Sequence, residues 1–443
     1  MSTYIRPSRV PYYWKAQPSV TPDPLDPVTR TVTEVFIWSG DITNQPADST
    51  YQIVKTPLNS SNLVIMDLAQ LINDFIINVY DGTYTTNVYY VNTSTVFSKA
   101  DGTAIGTAVT LPNTMAFSKG YGFFNEGANP YFTSAIAPST LPAISAGYAS
   151  DNYEIQIPIQ EKIVLPIIVT KTSGGTTEEI NVDFFNGSRA DAVAGNNPVK
   201  SVTVQNVGND SDQYIKYVDN VQASTAPQTE AQWDELVDQT WSGEIENQSE
   251  APTRSVFWCP ENNHPTTYIT INRSGQVGQA VIKVNYLRKT KFEPYKITFV
   301  NRYGALEDFW TAGANQQSFN SKGDTFKRNL LVVPDAYGAT QPAYNTDAHQ
   351  YVTFAEQGRK SISLHTGLIP EENNKVLTQL FLSQKIWITY YQTQAQRDAN
   401  EPLIIEPVVL KSKSLQYKTH ITEKVIEYKM DFNLAYDEIN QVR

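Results

Sequence analysis

The chain holds one cysteine, Cys259, in 443 residues. No intrachain disulfide can form, and no zinc-finger spacing exists. Histidine and methionine are scarce, at four each. Histidine is the side chain most used for proton transfer near neutral pH, so its scarcity weighs against catalysis. Basic residues are outnumbered, 34 Lys and Arg against 45 Asp and Glu, for a net charge of −11 and a pI near 5.0. A groove that holds nucleic acid by neutralising phosphates wants the opposite sign. No run of about 18 apolar residues occurs, so no membrane-spanning helix is expected. The opening stretch, MSTYIRPSRVPYYWKAQ, lacks the apolar core of a signal peptide. With cysteine nearly absent, this points to a protein made or assembled in a reducing cytoplasm.

What is present is aromatic and β-branched. Tyrosine is the loudest signal at 26 residues, beside abundant Thr, Val, Ile, Asn and Gln. These side chains suit pleated, half-buried surfaces. Glycine (22) and proline (25) punctuate the chain at short intervals, as turns between strands do. The expected fold is mainly β with a few short helices. Its form would be multi-domain β-sandwich or β-barrel-like modules with an extended N-terminal arm. The length implies two to four domains. The expected division is an arm over 1–30, a β-rich domain with one helix over 31–170, a polar middle β domain or insertion over 171–293, and a C-terminal β-rich domain with one helix over 294–443.

The arm is defined by Pro7, Pro11, Pro18, Pro22, Pro24 and Pro27, which remove amide donors and bar helix or central strand. Tyr4, Tyr12, Tyr13 and Trp14 sit among them and are the candidate interface residues. Three readings stay open: an arm docked on a neighbouring subunit, an arm folded back on its own domain, or a disordered tail.

Periodicity predicts two good helices. Leu68, Leu71, Ile72, Phe75, Ile76 and Val79 share one helical face after Asp67, an N-cap, and Asp81-Gly82 ends it. The second begins at Pro370-Glu371-Glu372, with Val376, Leu377, Leu380 and Phe381 as its apolar face. A shorter helix is expected around Trp233, Leu236 and Val237. Hairpins are expected at 172–187, turning at Gly174-Gly175, at 200–218, turning near Gly208-Asn209, and at 266–292, split at Ser274-Gly275. Ile155, Ile157 and Ile159 alternate, but Pro158 and Pro166 push this segment to an edge strand or bulge. In the last strand Ile426, Tyr428, Met430, Phe432 and Leu434 face one way, and Glu427, Lys429, Asp431 and Asn433 the other.

No constellation carries chemistry strongly. His264, His349, His365 and His420 lack paired ligand spacing, and Cys259 with His264 stands alone. Asn209-Asp210-Ser211-Asp212 and Asp347 are oxygen-rich but match no calcium loop and read as turns. No G-x-S-x-G occurs. GYGFFNEG lacks the Lys-Ser/Thr of a phosphate loop. Glu178-Glu179, Glu371-Glu372 and Asp308 beside Phe309-Trp310 are the remaining carboxylates for a glycosidase-like cleft, although Asp308 fits a packed aromatic cluster better. Lys283, Arg288, Lys289, Lys291 and Lys296 read as a solvated strand edge, or as a seam to an acidic neighbour. No catalytic residue, cofactor or metal ligand is therefore assigned.

Four stretches carry a likeness to known proteins. They are NLVIMDLAQLINDFI (62–76), GYGFFNEGANP (120–130), ITFVNRYGALEDFW (297–310), and a C-terminal run from HQYVTFAEQGRKSISLHTGLIPEENNKVLTQLFLSQKIWI (349–388) to the terminal EYKMDFNLAYDEINQVR. On these the chain resembles virion structural proteins of tailed bacteriophages, in particular tail, neck or baseplate components of Bacteroidetes-phage type. None of the stretches is a catalytic motif. The resemblance implies a β-rich, homo-oligomeric subunit of a ring or sleeve, in the virion, assembled in the host cytoplasm. Its partners would be copies of itself and other virion proteins, with no membrane and no specific nucleic-acid binding. An acidic wall would suit a channel through which DNA slides. The rival readings are a receptor- or glycan-binding virion protein and, behind it, a polysaccharide depolymerase.

Overall fold

A computed structural model describes residues 5–22, 27–56, 62–85, 87–132, 154–158, 161–169, 179–220, 266–273, 279–287, 292–332, 343–344, 346–390, 404–411, 414–416 and 425–437. The expected helix near Trp233 lies outside these residues, as do Cys259, His264 and His420. The fold is mainly β, with several sheets and one helix of seven or more residues among those described.

The N-terminal region contains β1 (Ile5–Pro7), β2 (Tyr13–Ala16), β3 (Arg30–Trp38), β4 (Tyr51–Lys55), β5 (Val64–Asp67), β6 (Tyr89–Ser98), β7 (Val109–Thr110) and β8 (Met115–Ser118). The main sheet runs β1-β8-β6-β3-β4, with β7 beside β6. Residues 5–16, expected to extend away as an arm, are stitched into this region. Strand β1 adds to the sheet edge parallel to β8, Ile5 opposite Ala116. An edge tolerates Pro7, whose missing N–H breaks no inner ladder. Strand β2 pairs with β5, Tyr13 opposite Asp67. Burial of Ile5, Tyr12 and Ala16 provides the driving force.

The helix expected over 68–79 is cut to Ala69–Asn73. Asp67 behaves partly as foreseen: its Oδ1 accepts from the Ala69 amide (3.1 Å), but also from Tyr12 N (2.9 Å). Leu68, Ile72 and Ile76 reach the core, whereas Ile77 and Val79 are exposed. The chain leaves the helix early because residues 77–88 cross to the C-terminal sheet and deliver Tyr80 and Tyr84 there.

The middle region contains β9 (Glu154–Pro158), β10 (Val164–Ile168), β11 (Glu179–Phe185), β12 (Lys200–Gln205), β13 (Ile215–Asp219), β14 (Tyr268–Arg273) and β15 (Gln279–Leu287). Five of them form a sheet in the order β12-β11-β14-β15-β9. Strand β9 is an edge, as its proline requires, and runs parallel to β15. Strand β10, which includes Pro166, has one strand neighbour among the described residues, β13. Both β9 and β10 fall within 31–170, the expected N-terminal domain, yet they pair with the middle region. The expected hairpin between 200–205 and 215–219 does not form. Strand β12 pairs with β11, and β13 with β10. The β14–β15 hairpin forms as expected.

The C-terminal region contains β16 (Tyr295–Val300), β17 (Leu306–Thr311), β18 (Asn315–Lys327), β19 (Leu331–Val332), β20 (Ala343–Tyr344), β21 (Tyr351–His365), β22 (Ile369–Pro370), β23 (Ile386–Tyr390), β24 (Ile404–Leu410), β25 (Val425–Ile426) and β26 (Lys429–Leu434). A seven-stranded sheet runs β17-β16-β23-β24-β26-β21-β18. Its helix, Asn374–Leu382, follows a 3₁₀ turn at Glu371–Asn373 and buries Val376, Leu377 and Leu380. The terminal strand keeps its alternation: Ile426, Tyr428, Met430, Phe432 and Leu434 are all buried.

One core runs through the middle and C-terminal regions, from Ile157 through Phe184 and Ile282 to Phe299 and Phe432. Strand β16 is buried at all six positions because that core covers one face and residues 77–88 cover the other. A further cluster, including Ile5, Trp38, Tyr90, Ile168, Tyr214 and Tyr303, ties all three regions together. The oxygen-rich turn at 209–212 serves this joint. Asn209 O accepts from Ile42 N (3.0 Å) and Tyr90 Oη (2.8 Å), and Ser211 N donates to Gly40 O (2.9 Å).

Candidate functional site

Four of the stretches singled out in the sequence meet at one junction. Arg302, on the turn between β16 and β17, is its hub. Its guanidinium pairs with Glu126 and lies 4.8 Å from the Phe123 ring centroid. Its amide donates to Gln379 Oε1 on the C-terminal helix (2.9 Å), and its carbonyl accepts from Tyr121 N (2.8 Å). Lys119 donates to Asn73 O, at the end of the first helix. The backbones approach closely here. A Cβ on Gly120 would collide with Arg302 O, and one on Gly304, whose φ is +81°, would lie 2.8 Å from Lys119 N. Only glycine fits such an approach. These stretches are therefore interlocking parts of one joint.

Asp308, the carboxylate candidate, sits in a buried polar cluster. Tyr84 Oη donates to its Oδ2, Thr298 Oγ1 donates to its Oδ1 (2.6 Å), and Lys296 Nζ lies 3.9 Å from Oδ2. Lys296 also donates to Tyr80 Oη (2.9 Å) and Tyr84 Oη (3.1 Å). Burial alone would lower the lysine pKa, but the Asp308 carboxylate and Tyr80 outweigh it and hold it above the usual range. Burial, then Asp308, pushes the Tyr84 hydroxyl well up. Tyr80 and Tyr84 come from the N-terminal region, whereas Lys296 and Asp308 stand on β16 and β17. The ion pair lies within the C-terminal region, and the hydrogen bonds of Tyr80 and Tyr84 join the N-terminal region to it. Lys296, expected on a solvated edge, is 7% exposed. Lys283, from the same group, pairs with Glu154 (2.6 Å), while Arg288, Lys289 and Lys291 lie outside the described residues.

The cavity beside Asp308 is about 30 Å³, room for about one water, and is walled by Ile155, Ile163, Leu165 and Trp310. Its carboxylates are engaged: Glu307 accepts from Asn301 Nδ2 (2.9 Å), and Asp308 is held as above. Glu371 and Glu372 open the C-terminal helix, and Glu178 lies outside the described residues. Among those residues, no three His, Cys, Asp or Glu side chains converge as metal ligands would.

The four interface candidates separate. Tyr4 lies outside the described residues. Tyr12 is buried in its own region, its ring edge-on to Phe117 at 5.6 Å and 4.5 Å from the Arg6 guanidinium. It cannot anchor in a neighbour while so packed. Trp14 is half-buried against the same core. Tyr13 is exposed.

An exposed run of aromatics on long strands carries no motif in the sequence. Strands β18 and β21 pair antiparallel from Asn315–Leu364 to Lys327–Tyr351, with an irregularity between Lys322 and Asp324. Residues 361–365 of β21 also pair with β26, but among the described residues 351–360 have β18 as their one strand neighbour. Pairing resumes at Leu331–Tyr344. The result is a two-stranded ribbon leaving the sheet. All of β18 after Asn315 is exposed, and Phe319 (58%), Phe326 (47%), Tyr344 (68%), Tyr351 (64%) and Phe354 (50%) stand in solvent. Phe326 and Phe354 stack edge-on at 5.7 Å. Phe319 lies across Gly358, where a Cβ would come 2.5 Å from its ring. A two-stranded hairpin with wet faces is marginal alone, and this one leaves a row of aromatics exposed among the described residues. The sequence signal was its long polar strands with aromatics and no buried face.

No known protein family, curated protein or solved structure matches the chain.

Proposed function

We propose that the chain is a structural subunit of a tailed-phage virion: a tail, neck or baseplate component that works by oligomerising and by docking on other virion proteins. The observation that carries this reading is the ribbon of β18 and β21, which presents Phe319, Phe326, Tyr351 and Phe354 to solvent among the described residues. Interlocked regions fit the same reading. An assembly subunit must transmit load through its joints, and here three regions share a core, and Tyr80 and Tyr84 of the N-terminal region hydrogen-bond to the C-terminal Lys296–Asp308 pair. Net negative charge suits a wall along which DNA slides without sticking.

A second reading uses the same exposed aromatics. Tyr and Phe faces stack on sugars, so the ribbon would equally serve a receptor- or glycan-binding virion protein. The two part in one experiment: negative-stain imaging of the purified chain beside a titration with host surface polysaccharide. Rings or sleeves without saturable polysaccharide binding support the subunit. A monomer that binds the polysaccharide saturably supports the glycan reader, and turnover of that polysaccharide, lost in Asp308→Asn, supports the depolymerase.

A further inference from the structure

We propose that a basic, aromatic surface around Arg9 and Phe124 receives the acidic segment 230–250 of a second copy of this chain. The inference rests on the assembly reading and names both sides of the contact. The first two strands and the loop 119–131 build the surface. Arg9 N donates to Gly120 O (3.1 Å), beside Lys119. The Arg9 guanidinium lies 5.0 Å from the Tyr121 ring centroid and reaches Leu382 O (3.4 Å), at the turn that carries Lys385. On the far side of the loop, Tyr13 N donates to Asn129 Oδ1 (2.9 Å), and Lys15 shares the outward face of β2 with Tyr13. Among the described residues, no carboxylate stands within ion-pair distance of Arg9, Lys15, Lys119 or Lys385. Of the nearby acids, Glu126 is held by Arg302, Asp67 by two amides and the buried Glu307 by Asn301, which leaves Asp74. Burial lowers the Lys119 pKa, and Arg9 and Lys385 push the same way against Asp74. Four cations thus face one uncommitted acid, on a chain of net charge −11.

The occupant follows from charge complementarity. Residues 230–250, outside the described residues, hold seven acids, no base, and Trp233 and Trp241. This short stretch carries most of the chain's negative charge, and a surface of unpaired cations attracts it. Apolar contact adds to the attraction. Phe124 is fully exposed on the loop, and Phe123 and Tyr13 are exposed beside it, so ring faces are open to the two tryptophans. The loop is held in place before binding, because Glu126 Oε2 accepts from Phe123 N (2.8 Å) while the same carboxylate pairs with Arg302. Its aromatic anchors are therefore presented at little ordering cost. Two different parts of the chain meet in this contact. Repeated by every copy, it closes into a dimer or ring, or runs on as a filament.

Two variants of the full chain test this by light scattering. In the first, every Glu and Asp from Glu230 to Glu250 is changed to Gln or Asn. In the second, Phe124→Ala, Lys15→Glu and Lys385→Glu are combined, all at exposed positions, with circular dichroism to confirm an unchanged fold. Where the wild type assembles, each variant alone should associate about tenfold or more weakly at low salt. Raising salt from about 50 to about 500 mM should weaken the wild type. Mixed in equal amounts, the two variants should pair, because one keeps the surface and the other keeps the segment. If the wild type assembles and the neutralised chain assembles equally, the inference fails and the assembly reading stands. If each variant is monomeric and their mixture is monomeric too, the segment does not cross between copies and the inference is overturned. If the wild type stays monomeric at every concentration, the assembly reading fails with it. If the wild type assembles only upon adding duplex DNA, the surface's partner is nucleic acid and the inference is overturned.

Discussion

Replacing Asp308 by Asn removes a charge and almost no volume, which makes it a clean probe of the buried ion pair on which Tyr80 and Tyr84 of the N-terminal region close. In the native protein Lys296 is 7% exposed and has the Asp308 carboxylate 3.9 Å away. Removing one member of a buried ion pair leaves the other charge uncompensated, at a cost of about 3–5 kcal/mol. Lys296 keeps its hydrogen bonds to Tyr80 (2.9 Å) and Tyr84 (3.1 Å), and the amide oxygen of the substituted side chain can still accept one bond. The expected loss therefore sits at the low end, about 3 kcal/mol. The Lys296→Met, Asp308→Asn double variant removes the stranded charge and should recover at least half of it. Urea unfolding followed by tryptophan fluorescence is well placed to read this, since Trp387 and Trp310 lie beside the cluster. A double-mutant cycle then gives the coupling. A loss below about 1 kcal/mol for Asp308→Asn, or single losses that simply add in the double variant, would refute this role of the pair.

Three further outcomes follow from the packing, and a fourth from the buried hydroxyls. Tyr12→Ala should cost about 3 kcal/mol or more in thermal or urea melts, because a fully packed ring is lost from the core, while Tyr13→Ala at an exposed position should stay within about 0.5 kcal/mol. By the same argument, deleting residues 2–28 should melt the N-terminal region, seen as lost strand signal in circular dichroism; a deleted chain that keeps its full signal contradicts the stitched-in arm. Gly120→Ala should lower stability by about 2 kcal/mol or more in urea melts, since its Cβ would collide with Arg302 O and backbone cannot swing aside as a side chain can. Stability should fall steeply above about pH 10. Burial raises the Tyr214 and Tyr286 hydroxyls to about 12 and Tyr84 well up, and Lys296 is raised too by Asp308 against the effect of burial. Each group keeps its proton in the native state after the unfolded chain has lost it. Their contribution is thus complete below the unfolded pKa near 10 and is lost as pH rises through the native values. A pH series of urea midpoints showing a plateau through about pH 11.5 would contradict this sign.

Elements with one wet face were legible in the sequence. The alternation from Ile426 to Leu434 holds in the burial pattern, although the expected single strand is broken at 427–428 into β25, on β22, and β26, on β21 and β24. The C-terminal helix was announced by Pro370 and two acids, which suit a helix start whatever packs later. The first helix was misjudged past Asn73. Its periodicity continued, but Tyr80 and Tyr84 are needed across the molecule at Lys296 and Asp308, and the chain unwinds to take them there. Strand composition was legible at 200–219, yet pairing was not, because β12 and β13 each find partners set by distant burial. The arm folded back on its own domain was one of three open readings, and proline did not decide among them, because an edge strand asks little of its amides. The ribbon was legible as strands, but its exposure was not, since a strand's polarity does not say whether a neighbour covers it. Asp308 was correctly paired with an aromatic cluster, while Lys296 was read as solvated because sequence neighbours do not show a buried counter-charge.

The central claim is that this chain works by assembling. Multi-angle light scattering of the purified protein over a concentration series tests it most directly. The account predicts growth from the 49.6 kDa chain to a defined multimer as concentration rises, with a mass that is a whole multiple of the subunit. A constant 49.6 kDa at every concentration and salt would contradict it.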